Sequence, residues 1–173
     1  HWDLERQPGE SLKFYYKRIG NSPLSQKKNL SAWDLSLEGA EEFNKIYITD
    51  PDVYYFSYST YATRPKKNNA GHFPDSKMSL PLKATSLKMG KYNKAPTASW
   101  FENDGICNTI SMTHPTGSSA TYYNGIPRKG IWQITGRLHM DHQAVIGHFI
   151  SKKEFEDMLV LYSIHAKLLL SLR

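Results

Sequence analysis

Internal disulfides are excluded in this 173-residue chain, because it contains a single cysteine, Cys107. Long apolar runs are also missing. Nothing approaches the roughly 20 consecutive apolar residues that span a bilayer, so no transmembrane segment is expected. The first residues, His1-Trp2-Asp3, include no initiator methionine, basic n-region or apolar h-region, and any targeting signal is expected to lie outside the chain. Internal repeats and low-complexity tracts are absent too. Acidic residues are outnumbered 22 to 16 by lysine and arginine, a net charge of +6. The excess is spread over small clusters, Lys27-Lys28, Arg64 with Lys66-Lys67, and Lys152-Lys153. These are too sparse for a phosphate-neutralising face, so they read as solvated loops and a helix start, and no nucleic-acid partner is expected.

What is present forms a core. A hydrophobic content of 39%, with 13% aromatic residues, is incompatible with wholesale disorder and suits one domain or part of a larger one. Ser11 stands where it can cap a helix carrying Leu12, Tyr15, Tyr16 and Ile19 and ending at Gly20. A second helix, capped by Ser36, is expected to turn Ala40, Phe43, Ile46 and Tyr47 inward. Val53 to Thr60 is the strongest strand signal, and its nearly continuous apolar first half predicts a parallel-sheet strand covered on both faces. Residues 64–98 form a long excursion with a helix around Met78–Leu87, compromised by Pro81. Gly130 to Thr135 reads as another strand. The last element is a helix capped by Ser151, whose apolar stripe comprises Phe155, Met158-Leu159, Tyr162, His165-Ala166, Leu169 and Leu172.

Two short segments carry chemistry. Glu102-Asn103-Asp104-Gly105 puts a carboxylate in a tight turn, and His142 follows Asp104 by 38 residues. Acid and then histidine, each on a loop after a strand, is the order of the last two members of an α/β-hydrolase triad. In such a triad the histidine takes a serine proton and returns it to the leaving group, while the buried carboxylate fixes the imidazole tautomer. No G-x-S-x-G nucleophile elbow stands upstream. As a bare pattern this remains open, since Asn-Asp-Gly is an ordinary turn and His142 can be structural. His139-Met140-Asp141-His142 also reads as a metal cluster, though no Cys or Glu completes it. Cys107 with His142 suggests a thiol hydrolase, but a lone cysteine in an apolar run is more often core. His72, His114, His148 and His165 have no partner visible in sequence, and the four tryptophans read as packing residues.

The residues from Trp100 to Met112, W-F-E-N-D-G-I-C-N-T-I-S-M, resemble the catalytic-acid segment of the staphylococcal and thermoalkaliphilic bacillus-type lipases. Lys129-Gly130-Ile131-Trp132 and the run from Asp141 to Gly147 are similar to the following strand and histidine loop of those enzymes. Arg6 to Ser11, Trp33-Asp34-Leu35-Ser36 and Tyr54-Tyr55 extend the likeness collinearly. It implies an α/β fold, the C-terminal half of an α/β-hydrolase doubly wound sheet. Residues 1–173 would form part of a single domain whose N-terminal half, with nucleophile elbow and oxyanion hole, would precede His1. It further implies a secreted ester hydrolase acting on lipids or similar esters, with Asp104 as catalytic acid and His142 as base.

The same likeness implies two metal sites, and here the ligands differ. Calcium in these lipases uses the loop aligned with Asp75-Ser76-Lys77 and carboxylates after the histidine, where this chain has Ala144 and Phe149. Zinc uses an aspartate at the position of Asn29. Neither alanine nor phenylalanine can ligate a hard cation, and a neutral amide replaces a carboxylate poorly. No metal cofactor is therefore expected. Asn29-Leu30-Ser31 is also a glycosylation sequon, relevant only in a secreted eukaryotic protein. The alternative to a hydrolase is a non-catalytic, lipase-like structural or interaction module.

Overall fold

A computed structural model describes residues 5–21, 31–67, 70–92 and 95–172, which fall into two units, His1–Ile48 and Thr49–Arg173. In the first, helix α1 spans Leu12–Gly20, a single turn α2 spans Ser31–Asp34, and α3 spans Leu37–Ile46. Both expected caps form. The Ser11 hydroxyl accepts from the Phe14 amide at 3.2 Å, and that of Ser36 accepts from Gly39 at 3.0 Å. Packing departs from expectation, because Phe43 and Ile46 on α3, Tyr47 at its C-cap, and Leu12 and Tyr16 on α1 are exposed. A unit this small has little interior to cover them. The buried position on α3 is Gly39, where a Cβ would meet the Trp33 carbonyl oxygen at 2.0 Å.

The second unit is built on a parallel sheet. Strands β1 (Tyr55–Tyr61) and β4 (Ala120–Tyr122) both run parallel to β5 (Trp132–His139), which lies between them in the order β1-β5-β4. The register of β1 on β5 shifts between Ser57 and Tyr58. Parallel pairing agrees with the sequence reading, but the two-sided burial of the aromatic half does not. Tyr55, Phe56 and Tyr58 are half-buried and Val53 exposed, whereas Ser57, Ser59 and Thr60 are buried. Ser57 Oγ donates to the Thr113 carbonyl at 2.6 Å, and Thr60 Oγ1 to a carboxylate oxygen of Asp104. Among the described residues β1 is paired on one side only. Tyr55 stacks on Trp132 with ring centroids 4.8 Å apart, which couples the starts of both strands.

After β1 the chain makes a short antiparallel pair, β2 (Thr63–Pro65) with β3 (His72–Pro74), then helix α4 (Lys83–Met89). Pro81 sits in a 3₁₀ turn, Leu80–Leu82, leading directly into α4. It therefore starts the helix instead of interrupting it, as a residue with no N–H to satisfy does at a helix N-terminus. The small apolar core lies here, with Ala62, Met78 and Leu82 buried and Ile106 packed on them.

The terminal helix α5, Lys152–Ser171, begins with a full capping box. Ser151 Oγ accepts from the Glu154 amide, and Glu154 returns a carboxylate oxygen to the Ser151 amide at 2.9 Å. Its inward stripe is Met158, Leu161, His165, Leu168 and Leu172, narrower than expected and rotated from it. Phe155, Leu159, Tyr162 and Leu169 of the expected stripe are exposed. No described helix is long and apolar enough to cross a membrane.

Candidate active site

Asp104 and His142 meet at the carboxyl ends of the parallel strands, one past β1 and the other past β5. The Asn-Asp-Gly turn that holds Asp104 is fixed from every side. Gly105 adopts φ +100°, and a Cβ there would lie 2.7 Å from the Leu82 Cβ, so only glycine lets the turn settle onto the core. Asn103 is fully buried. Its side-chain oxygen accepts from the Gly105 amide at 3.0 Å and its amide nitrogen donates to the Phe101 and Ser86 carbonyls. The Asn103 carbonyl accepts from the Ala62 amide at 3.1 Å, which ties the turn to the end of β1.

Four donors converge on the fully buried Asp104 carboxylate. Oδ1 accepts from the amides of Ile106 at 3.0 Å and Cys107 at 2.8 Å. Oδ2 accepts from Thr60 Oγ1 at 2.6 Å and from His142 Nδ1 at 2.9 Å. That occupies the four lone-pair sites of an ionised carboxylate. An acceptor-only partner on Nδ1 makes that nitrogen the protonated one, leaving Nε2 with its lone pair free. The His142 side chain is 44% exposed while Asp104 is wholly enclosed. Among the described residues no group hydrogen-bonds Nε2. Main chain clasps the pair as well, since the His142 amide donates to the Asp104 carbonyl at 3.0 Å.

The histidine loop is anchored by its neighbour. Asp141 is buried, and its oxygens accept from the amides of Gln143 and Ala144, both at 2.9 Å, and of Ser79 at 2.7 Å. His139 turns elsewhere, with Nε2 2.7 Å from Asp75 Oδ2 and its ring stacked on Tyr61. The run 139–142 thus sends its three titratable groups in three directions and forms no metal cluster. Glu102, two residues before Asp104, pairs with Arg137. Cys107 is half-buried, and its thiol is pushed up to about 11 by burial and by the nearby Asp104 carboxylate, which makes it a poor nucleophile. The other described histidines have ordinary neighbours, His148 standing edge-on to Phe149. His72 lies on Thr63 Oγ1 and is held below its usual range by burial, His114 lies on Thr113, and His165 on the Tyr58 hydroxyl.

The position expected for calcium is a cavity of about 440 Å³ lined by Lys77, His139, Ala144, Phe149, Glu154 and others. Its lining includes the side-chain oxygens of Ser76, Glu154 and Asp157, but the positions at which the likeness places calcium ligands are otherwise engaged or lack an oxygen. The Lys77 ammonium is itself there, ion-paired with Glu154. The Asp75 carboxylate is taken by His139 and the Lys77 amide, that of Asp141 by three amides, and Ala144 and Phe149 offer no side-chain oxygen. Asn29, at the expected zinc position, lies outside the described residues.

Sequence reading missed Thr60 and Asn103. Thr60 closes the strongest strand signal, and nothing in spacing links it to a residue 44 positions on. Asn103 was visible only as a turn former.

Parallel strands that deliver a buried carboxylate and a half-exposed imidazole to one end of a sheet define the C-terminal region of an α/β-hydrolase-type fold. The comparisons give it a family. A model described as "Lipase-like, C-terminal domain" matches residues 1–167, and the chain belongs to that family. It is 34% identical over 147 residues to Lipase 1 of Staphylococcus aureus, and 34% identical over 151 residues to a lipase of Staphylococcus epidermidis. Those matches cover 84% and 85% of this chain but 21% of each relative, so the chain spans about a fifth of their length. Among solved structures, Staphylococcus hyicus lipase superposes with a TM-score of 0.73 at 30% identity, covering 97% of this chain and 44% of that one. Lipase 1 from Pelosinus fermentans gives 0.70 at 32% identity, covering 99% and 47%.

Proposed function

We propose that this chain supplies the acid and the base of a Ser-Asp-His triad in a lipase-like ester hydrolase, the serine and oxyanion hole coming from another segment of a longer protein. The observation that carries the reading is the Asp104–His142 pair. Its Nδ1 is held by a saturated, buried carboxylate and its Nε2 faces outward, where a serine hydroxyl would need it. Nε2 takes the serine proton as the acyl bond forms, Asp104 stabilises the imidazolium, and the proton then passes to the departing alcohol. The lipases it resembles make acylglycerols or related esters the substrate class. Neither a metal nor a nucleic acid has a part in this reading.

The test is made on the full-length protein with a short-chain ester. Asp104→Asn should reduce kcat by roughly 10³–10⁴-fold with the fold intact, because the amide favours the wrong imidazole tautomer. Near wild-type turnover would remove Asp104 from the mechanism. A full-length protein that neither turns over ester nor labels with a serine-directed phosphonate would be the non-catalytic module instead. Residues 1–173 alone should show no esterase activity.

A further inference from the structure

Cys107 has no part in the proposed hydrolysis, yet it is held against both residues that do. One carboxylate oxygen of Asp104, the Cys107 sulfur and one ring nitrogen of His142 lie within 4.8 Å of one another. The arrangement is rigid on one side. Cys107 follows Asp104 by three residues in a turn closed by the Asp104 amide on the Cys107 carbonyl at 3.1 Å and the Cys107 amide on Asp104 Oδ1 at 2.8 Å. On the other side stands His142, whose side chain is 44% exposed although its Nδ1 faces the enclosed carboxylate.

We propose that Asp104, Cys107 and His142 form an inhibitory binding site for a thiophilic divalent cation such as zinc. Donor chemistry selects the ion. One sulfur, one nitrogen and one oxygen suit zinc, which takes four ligands and accepts a water as the fourth, while calcium and magnesium require six or more oxygens. Spacing is compatible. Bonds of roughly 2.0 Å to oxygen and nitrogen and 2.3 Å to sulfur put tetrahedral ligand atoms roughly 3.3–3.5 Å apart. Asp104 Oδ2 and His142 Nδ1, now 2.9 Å apart across a hydrogen bond, part slightly, and the sulfur swings in.

Binding has a defined proton balance. The thiol proton leaves to solvent as the sulfur–metal bond forms. The imidazole stays neutral but changes tautomer, because the ion occupies Nδ1 where the hydrogen had been and the hydrogen moves to Nε2. The ion thereby inhibits without covering the reaction centre. An Nε2 that already carries hydrogen cannot take one from serine. This last consequence rests on the triad reading, but binding does not.

The experiment titrates metal-free, full-length protein with cadmium chloride and follows the ultraviolet thiolate-to-cadmium charge-transfer band. The expected result is a one-equivalent component of the band that is lost in Cys107→Ser and Cys107→Ala, distinct from any contribution of thiols elsewhere in the longer protein; should either variant unfold by its melting curve, the other is used. Zinc chloride titrated by calorimetry should bind at least about tenfold more weakly to these variants and to His142→Gln. Where ester turnover is measurable, zinc should suppress it in the wild type, less in Cys107→Ser, and a chelator should restore it. Absence of a Cys107-dependent cadmium band, or equal zinc affinity in wild type and Cys107→Ser, overturns the proposal. A band in a protein without esterase activity leaves the metal site standing and removes the triad reading, and activity without a band does the reverse.

Discussion

Thr60 is the residue on which the rigidity of the acid turns. Its hydroxyl donates to Asp104 Oδ2, the same oxygen that faces His142, and it reaches there from the buried end of β1. Removing it leaves a buried carboxylate one donor short, and hydrogen bonds to charged groups contribute about 1.5–3 kcal/mol. Thr60→Val is expected to lower unfolding free energy by about that amount in a denaturant titration, with Thr60→Ser recovering most of it. An unchanged midpoint in Thr60→Val would mean that water or another donor replaces the hydroxyl. At this scale the sequence was legible where chemistry dictates local geometry. Asp104 in an Asn-Asp-Gly turn and Ser11, Ser36 and Ser151 as caps all follow from what those side chains do to neighbouring amides. It was illegible where the partner arrives from far along the chain, as Thr60 and the Asp75–His139 pair do. Asn103 belongs to both groups, since its turn was readable and its burial was not.

Helix α5 illustrates the same division among elements. Its existence, start and capping box follow from Ser151 and a helical period, but its buried face does not. Apolar residues surround the helix almost completely, so periodicity alone cannot select the stripe on which Met158 and Leu161 point inward. Pro81 misled for a related reason, because a proline's effect depends on whether it falls inside a helix or at its first turn. The cap of α5 makes a pH prediction. Hydrogen bonding by Lys77 first, then by the amide and hydroxyl of Ser151, holds Glu154 well below its ordinary 4.5, at about 2. A carboxyl depressed in the folded state contributes stability above its unfolded value and loses it as pH falls through the folded one. The melting temperature of wild type should therefore exceed that of Glu154→Gln at neutral pH, and the gap should narrow from about pH 4.5 downwards towards about pH 2. Because the Glu154 side chain is still 35% exposed the gap is small, and a gap that widened on acidification would contradict the assignment.

For the molecule as a whole, the parallel sheet and its functional end were readable because parallel strands buried by crossover connections carry their groups past their carboxyl ends. The degree of exposure was not. Aromatic residues expected inside lie open on α1, α3 and α5, and among the described residues β1 pairs with a strand on one side only. Unpaired edge and apolar surface together favour association. Residues 1–173 expressed alone should show a mass by light scattering that rises with concentration, whereas a full-length parent should not; a sharply melting monomer would favour an independent module. Metal dependence is a property of the same scale. With Lys77 in the cavity where calcium would sit, the melting temperature of the parent should be the same in millimolar calcium as in chelator. A calcium-dependent rise lost in Asp75→Asn or Asp141→Asn would reveal a site rebuilt from other groups.

The backbone bond from the His142 amide to the Asp104 carbonyl has a consequence for how such a pair is inherited. Since the two loops are fastened to each other through main chain, their adjacency does not depend on how much polypeptide runs between them. At the surface turns at Gly117 and Gly125, on either side of the short β4, the intervening stretch is free to lengthen or shorten over generations. Neither glycine has a neighbour within reach of an added Cβ, so these turns are open places for insertion. Relatives should therefore keep the carboxylate and the imidazole in register while the count of residues separating them drifts. In such a lineage the separation of 38 would be an accident of descent, and the clasp the trait that is transmitted.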